Sequence, residues 1–411
     1  MKTPFFLSAI LILSLLAVLT SCNNKVADST PQYIRGGNSV VLGDDGNVVV
    51  AGYNSSATQG YQATLVKVNT SDTGPDTLWT RTYGGSYSDA FFNVKKVNKG
   101  EGYIATGFRN QANAGSPTMF VVITDAAGTA KYSLTYGGSA YTEGFGIVPN
   151  ADSGYLIAGF IQKSSTSDRD IYLVRIRDDG TVIWEKSIGA TSADSYDTVN
   201  DAAYGVIAAP DGGYFITGSL NGGYNMNGGK IFLMKVSSSG DSLWTKTYGT
   251  GFGYSLALTH SGGIPDGGVA ISGSIINGNS QDVFLIKTDT DGNPFPLWSQ
   301  EKTYGGSGFE YGATMVETSD GGFAITGITE ESSGHGQQDV YLILTNSLGE
   351  VRNGSPFSYG GSNNDQGYGL VQASNNDFFI TGLSNSGGSY IYLNRVDVNG
   401  GQLTGWPKLI K

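Results

Sequence analysis

Six places in this chain carry an aromatic ring, a carboxylate, or both at close spacing: Tyr87 with Asp89, Tyr141 with Glu143, Tyr196 with Asp197, Phe252 alone, Phe309 with Glu310, and Asp365 alone. An aromatic face beside a carboxylate suits a carbohydrate, which offers apolar C–H faces and hydroxyl donors, or a cation. The competing reading is structural, with the acids capping turns and the rings wedged between packed units. Two such acids about 5–9.5 Å apart would allow glycoside chemistry. Other catalytic signals are missing: the sequence has no Ser-His-Asp spacing, no nucleophile elbow and no Gly-rich phosphate loop leading into a helix. His260 and His335 are the only histidines and have no cysteine or acid at ligand spacing, which argues against zinc. Asp289-Thr290-Asp291-Gly292-Asn293 opens like a calcium loop but lacks the distal glutamate, so a turn explains it better; no cofactor is expected, with calcium kept as the lesser alternative.

These residues follow Tyr-Gly-Gly turns at 83–85, 136–138, 304–306 and 359–361, or variants near 189 and 249, so a repeat must position them. An apolar run ending in a small residue, a glycine and a turn recurs about every 55 residues, with its glycine at Gly52, Gly107, Gly159, Gly218, Gly273, Gly327 and Gly382. The fourth repeat reads as four strands: A at 204–209, an Asp-Gly-Gly hairpin turn at 211–213, B at 214–218, C at 231–236 and D at 243–249. Strand-sized pieces at this period predict an all-β, seven-bladed β-propeller of four-stranded antiparallel blades, occupying 33–411 as a single domain. Trp79, Trp184, Trp244, Trp298 and Trp406 all fall at the start of strand D and are read as core between blades. Tyr132 takes that place in the second repeat, and the sixth is irregular around Phe357. The last repeat ends on its own strand D, so the two chain ends share no blade; 33–37 offers an extra edge strand.

The long connections join B to C, at 54–61, 109–117, 161–169, 220–229, 275–281, 329–338 and 384–389. They share a face with the D–A turns, and loops on a rigid scaffold carry function, so this is the expected working face. Sevenfold geometry would bring the aromatic and acidic residues into a ring near the central channel.

Residues 1–21 read as a lipoprotein signal peptide: Lys2, an apolar run from 5 to 19, then Leu19-Thr20-Ser21 before Cys22. Cys22 is the only cysteine, so it has no internal disulfide partner and is read as the lipidated residue, with 22–32 as a tether. Acyl chains would hold the membrane at about 0.8 kcal/mol per buried methylene. With 24 Lys and Arg against 35 Asp and Glu, and no basic run, nucleic acid is excluded as a partner.

The segments Gly240-Asp241-Ser242-Leu243-Trp244-Thr245-Lys246-Thr247-Tyr248-Gly249 and Asp211-Gly212-Gly213-Tyr214-Phe215-Ile216-Thr217-Gly218 resemble the Asp-Gly-Gly-type propeller repeats of secreted and lipid-anchored Bacteroidetes proteins. So does the stretch from Gln281-Asp282-Val283-Phe284 to Asp291-Gly292. The resemblance covers 33–411 and brings no catalytic residues with it. The expectation is an outer-membrane lipoprotein of the cell envelope, attached facing the periplasm or, less favoured, displayed outside. It would act as a non-catalytic binding or scaffolding module for glycan or an envelope protein. The rivals are a polysaccharide-acting hydrolase or lyase using rim carboxylates, and a subunit of a larger surface complex.

Overall fold

The computed structural model describes residues 35–56, 59–71, 76–110, 116–162, 168–189, 200–222, 229–261, 263–278, 280–298, 301–306, 308–330, 337–352, 354–386 and 388–411. Cys22, the signal and tether segments, Tyr33, Tyr196 and Asp197 lie outside these residues. The described chain is all-β apart from a 3₁₀ turn at Pro296–Trp298. The first three repeats each form a four-stranded sheet. They are β1 (Arg35–Leu42), β2 (Val48–Ser56), β3 (Gln59–Val68) and β4 (Thr77–Tyr83); β5 (Asp89–Lys96), β6 (Tyr103–Arg109), β7 (Thr118–Thr124) and β8 (Ala130–Tyr136); and β9 (Tyr141–Pro149), β10 (Tyr155–Gln162), β11 (Arg169–Ile176) and β12 (Val182–Ile188).

Next come β13 (Ala202–Ala208), β14 (Tyr214–Leu220), β15 (Gly229–Val236), β16 (Ser242–Ser261), β17 (Ile264–Asn277), β18 (Ser280–Asp289) and β19 (Lys302–Tyr304), joined in one seven-stranded sheet. The last two sheets are β20 (Glu310–Glu317), β21 (Phe323–Thr329), β22 (Asp339–Thr345) and β23 (Phe357–Tyr359), then β24 (Asp365–Gln372), β25 (Phe378–Ser384), β26 (Tyr390–Val396) and β27 (Lys408–Ile410). There are therefore six sheets for seven repeats, where a separate sheet per repeat was expected. The cause is β16, which serves as strand D of the fourth repeat and strand A of the fifth. Gly251 pairs with Gly229 on one side and Ile275 on the other, and its φ of 152° redirects the chain without ending the ladder.

Within each repeat the strands lie in chain order, A to D, and all ladders are antiparallel. The D strands β4, β8 and β12 are largely exposed, whereas the B and C strands are buried, so D is the outer edge. The leading strands β1, β5, β9, β13, β16, β20 and β24 neighbour one another in that order, and β24 also neighbours β1.

Each leading strand carries a β-bulge at the same place. Asn38, Phe92, Phe145, Tyr204, Tyr254, Ala313 and Tyr368 are the residues left out of the pairing with strand B. The bulge explains the repeating glycine. At every one of the seven, a Cβ would overlap a carbonyl oxygen of strand A two residues before the bulge, such as Gly36 O at Gly52 and Tyr311 O at Gly327. This glycine does not end strand B, as the sequence suggested, because β2, β6 and β10 all continue through it. The threonine before it is fixed too: Thr217 and Thr326 donate to Phe232 O (2.6 Å) and Tyr341 O (3.0 Å) on strand C.

Packing between repeats uses a clasp around the glycine of the next C–D turn. Tyr83, Tyr136, Tyr248, Tyr304 and Tyr359 donate their hydroxyls to Gly128, Gly180, Gly292, Gly349 and Gly400 carbonyls at 2.6–2.9 Å. A tryptophan also lies against the turn glycine, Trp79 at Gly128, Trp184 at Gly240, Trp244 at Gly292 and Trp298 at Gly349, although Trp298 sits in the 3₁₀ turn before β19 and not at the start of a strand as the sequence suggested. Tyr132 occupies the tryptophan register opposite Ile123 but is exposed; Leu134 fills the contact over Gly180 in its stead. Phe357 fills it over Gly400.

The Asp-Gly-Gly turns have their own partner. Asp211 and Asp266 pair with Lys235 and Lys287 of strand C at 2.7 and 2.5 Å, and each also accepts the N–H of the second glycine. The two chain ends meet through side chains. Val40, Val48 and Val66 share a core with Phe379, Leu393, Trp406 and Ile410, and Ser389 exchanges two hydrogen bonds with the Arg35 backbone. Arg35–Gly37 opens β1 itself and adds no edge strand.

Candidate ligand-binding site

Most of the rim acids are committed to backbone donors. Asp89 is fully buried and accepts the N–H groups of Gly85 (2.7 Å) and Asn110 (2.9 Å), tying the D–A turn to the B–C connection. Desolvation raises its pKa to about 6 against the lowering effect of those bonds and of Arg109. Glu310 accepts from Gly306 N (3.1 Å) and Thr329 Oγ1 (3.1 Å), and Asp365 from Gly361 N (2.7 Å). Asp201, not singled out from the sequence, accepts from Asn221 N (2.8 Å). Tyr87 and Phe309 are exposed, and Phe309 uses its backbone, accepting from Glu330 N. These placements match the turn-capping pattern of a repeat.

Tyr141, Glu143 and Phe252 are placed differently, in a contiguous aromatic group. Tyr141 donates its hydroxyl to Glu143 Oε1 at 2.7 Å and meets Phe160 edge-on at 5.1 Å. The Arg169 guanidinium lies over both rings, 5.2 Å from Tyr141 and 4.4 Å from Phe160. Glu143 is buried, and desolvation pushes its pKa up to about 7 despite the Tyr141 hydroxyl and Arg169. Burial likewise raises Tyr204 to about 12, with Arg169 and Glu143 as its charged neighbours.

From Phe160 the group continues along the bulges. Phe145 lies 5.9 Å from Phe160, 5.1 Å from Phe92 and 5.2 Å from Tyr204; Tyr204 lies 5.3 Å from Tyr254, which stacks on Phe252 at 5.9 Å. Four bulge residues from consecutive repeats thus form an unbroken arc of rings on the inner wall. Phe92, Tyr204 and Tyr254 keep partial exposure there. The other three bulge residues are unlike these: Ala313 is small, Asn38 donates to Phe91 O (2.7 Å), and Tyr368 donates to Gln366 Oε1.

The arc was missed from the sequence, although a signal for it exists. The bulge residue precedes the motif glycine by 14 positions in five repeats, as in Gly144-Phe145-Gly146 and Gly367-Tyr368-Gly369. Among the described residues no three His, Cys, Asp or Glu side chains gather as a metal would need. Asp289 accepts Asp291 N (2.9 Å) and Asn293 N (2.8 Å), the same turn that Asp125, Asn346 and Asp397 make.

No protein-family model matches the chain, and no curated protein does. Solved structures align with the chain at low identity. A candidate 6-phosphogluconolactonase from Bacteroides fragilis aligns with a TM-score of 0.52 at 10% identity, over 94% of this chain and 98% of its own. Sqt1 from Chaetomium thermophilum gives 0.46 at 11% identity over 93% and 87%. A protein of unknown function from Dyadobacter fermentans gives 0.45 at 11% over 79% and 94%. At such identities the first likeness speaks for a propeller-like architecture and nothing further.

Proposed function

We propose that this chain is a seven-bladed β-propeller, tethered to the cell envelope by a lipid on Cys22, that binds carbohydrate without catalysis. Seven leading strands that neighbour in sequence order, with the last beside the first, support the blade count. One observation carries the binding reading: the arc Phe92, Phe145, Tyr204 and Tyr254, flanked by Tyr141, Glu143 and Arg169. Ring faces beside fixed polar groups complement the alternating C–H and hydroxyl surfaces of a sugar. The rim reading from sequence moves inward accordingly, because Asp89, Glu310 and Asp365 already accept backbone donors. Glu143 has a pKa suited to acid–base work, but among the described residues the rim acid of the preceding repeat, Asp89, is bound up in its turn, which disfavours the hydrolase reading.

The test is a glycan-array and polysaccharide-binding screen on the purified chain, with and without calcium, beside the Phe145→Ala/Tyr204→Ala double variant. Binding by the parent that the folded variant loses is the expected result. Binding by neither, with intact thermal unfolding in both, would reject carbohydrate as the ligand and turn the search to envelope protein partners by cross-linking.

A further inference from the structure

We propose that the glutamines of repeats 5 to 7 form a second, hydroxyl-reading part of the site beside the aromatic arc, and that the ligand is a neutral saccharide rather than a uronate. The inference rests on the carbohydrate reading above and adds its chemical class.

Arg169, Gln281 and Gln338 occupy one position in their repeats, three residues before the strand C residue that pairs with the motif glycine. In the third repeat this position supplies the stacked guanidinium of the aromatic side. In the sixth it supplies an amide within a directed chain: Tyr368 donates to Gln366 Oε1, Gln366 Nε2 donates to Gln338 Oε1, and Gln338 Nε2 donates to Glu330 Oε1 at 2.8 Å. The chain starts at a bulge residue of the inner wall and crosses between two repeats, where Asp365 N also donates to Gln338 O at 2.8 Å. Each link donates in the same sense and ends on a carboxylate, so the amide orientations are set. Each amide still has a second N–H to offer.

Gln281 is an independent observation. It is 1% exposed, and neither Oε1 nor Nε2 has a hydrogen-bond partner among the described residues. Its backbone bridges to Phe309, whose carbonyl accepts from Glu330 N, so it stands next to the amide chain. An orphaned buried amide is costly, and a hydroxyl, which both donates and accepts, satisfies either end of it. The charges select among sugars. The Glu330 carboxylate closes the amide side against an anion, and on the aromatic side the Arg169 cation is already stacked on two rings beside Glu143.

The experiment is titration calorimetry of the full chain with neutral gluco-, manno- and galacto-hexasaccharides and with hexagalacturonate. Thermal unfolding is followed for Gln281→Met and Gln338→Leu. A neutral hexasaccharide should bind and hexagalacturonate should not. Gln338→Leu should weaken binding tenfold or more. Gln281→Met should weaken it while raising the unfolding midpoint, which keeps the test clear of misfolding. If the parent binds a neutral sugar and both variants bind it equally well, the amides are structural and this inference falls while the carbohydrate reading stands. Preference for the uronate would also overturn it. If the parent binds no saccharide, both readings fall.

Discussion

Glu143 shows how one side chain can report on the inner wall. Its carboxyl is buried beside rings, and its folded pKa of about 7 lies above the ordinary 4.5 because desolvation outweighs the Tyr141 hydroxyl and Arg169. A raised folded value means that the group's contribution to stability is complete below the unfolded pKa. It is lost as pH rises through about 7. The full shift corresponds to roughly 3 kcal/mol at most. Glu143→Gln keeps an acceptor for Tyr141 and has no charge to bury, so its stability should decline less than the parent's between pH 4.5 and 8. Urea unfolding at pH 5 and pH 8 measures this, and equal pH slopes for parent and variant would contradict the buried-carboxylate account.

At the scale of elements, the bulge and the clasp make separate demands on sequence. A methyl group at Gly327 would collide with Tyr311 O, so the bulge of β20 would have to open. Gly327→Ala should cost about 2–4 kcal/mol, as strained core substitutions do. It should also disturb the position of Ala313 on the wall. The clasp is milder to break. Tyr304→Phe leaves the Gly349 carbonyl without its donor and should cost about 1–3 kcal/mol in urea unfolding. Little loss for Tyr304→Phe would mean that water replaces the hydroxyl and that Trp298 packing alone joins those repeats.

The whole molecule depends on the seam between its ends. Phe379 meets Trp406 edge-on at 5.8 Å, and both lie in the core shared by the first and last repeats. Phe379→Ala should cost about 3–5 kcal/mol. Hydrogen exchange should speed up in β1 to β4 and β24 to β27 before it does in β9 to β15; uniform acceleration would instead indicate that the seam holds no separate unit. Repeat length, strand order and hairpin turns were legible in the sequence, because alternation, turn chemistry and period are local properties. So were the rim acids as a recurring set. Which acids were already spent on backbone N–H groups was not legible, because Asp89 meets its second donor at Asn110, in the connection beyond the next strand. The arc was hidden for a similar reason: Phe92, Phe145, Tyr204 and Tyr254 stand 50 to 59 residues apart, and only the packing of consecutive leading strands side by side sets their rings 5–6 Å from each other. Sequence by itself determined the strands, their period and the glycine that every bulge requires. Tertiary structure decided which side chains share a surface, since contact across repeats depends on how sheets pack and not on spacing along the chain.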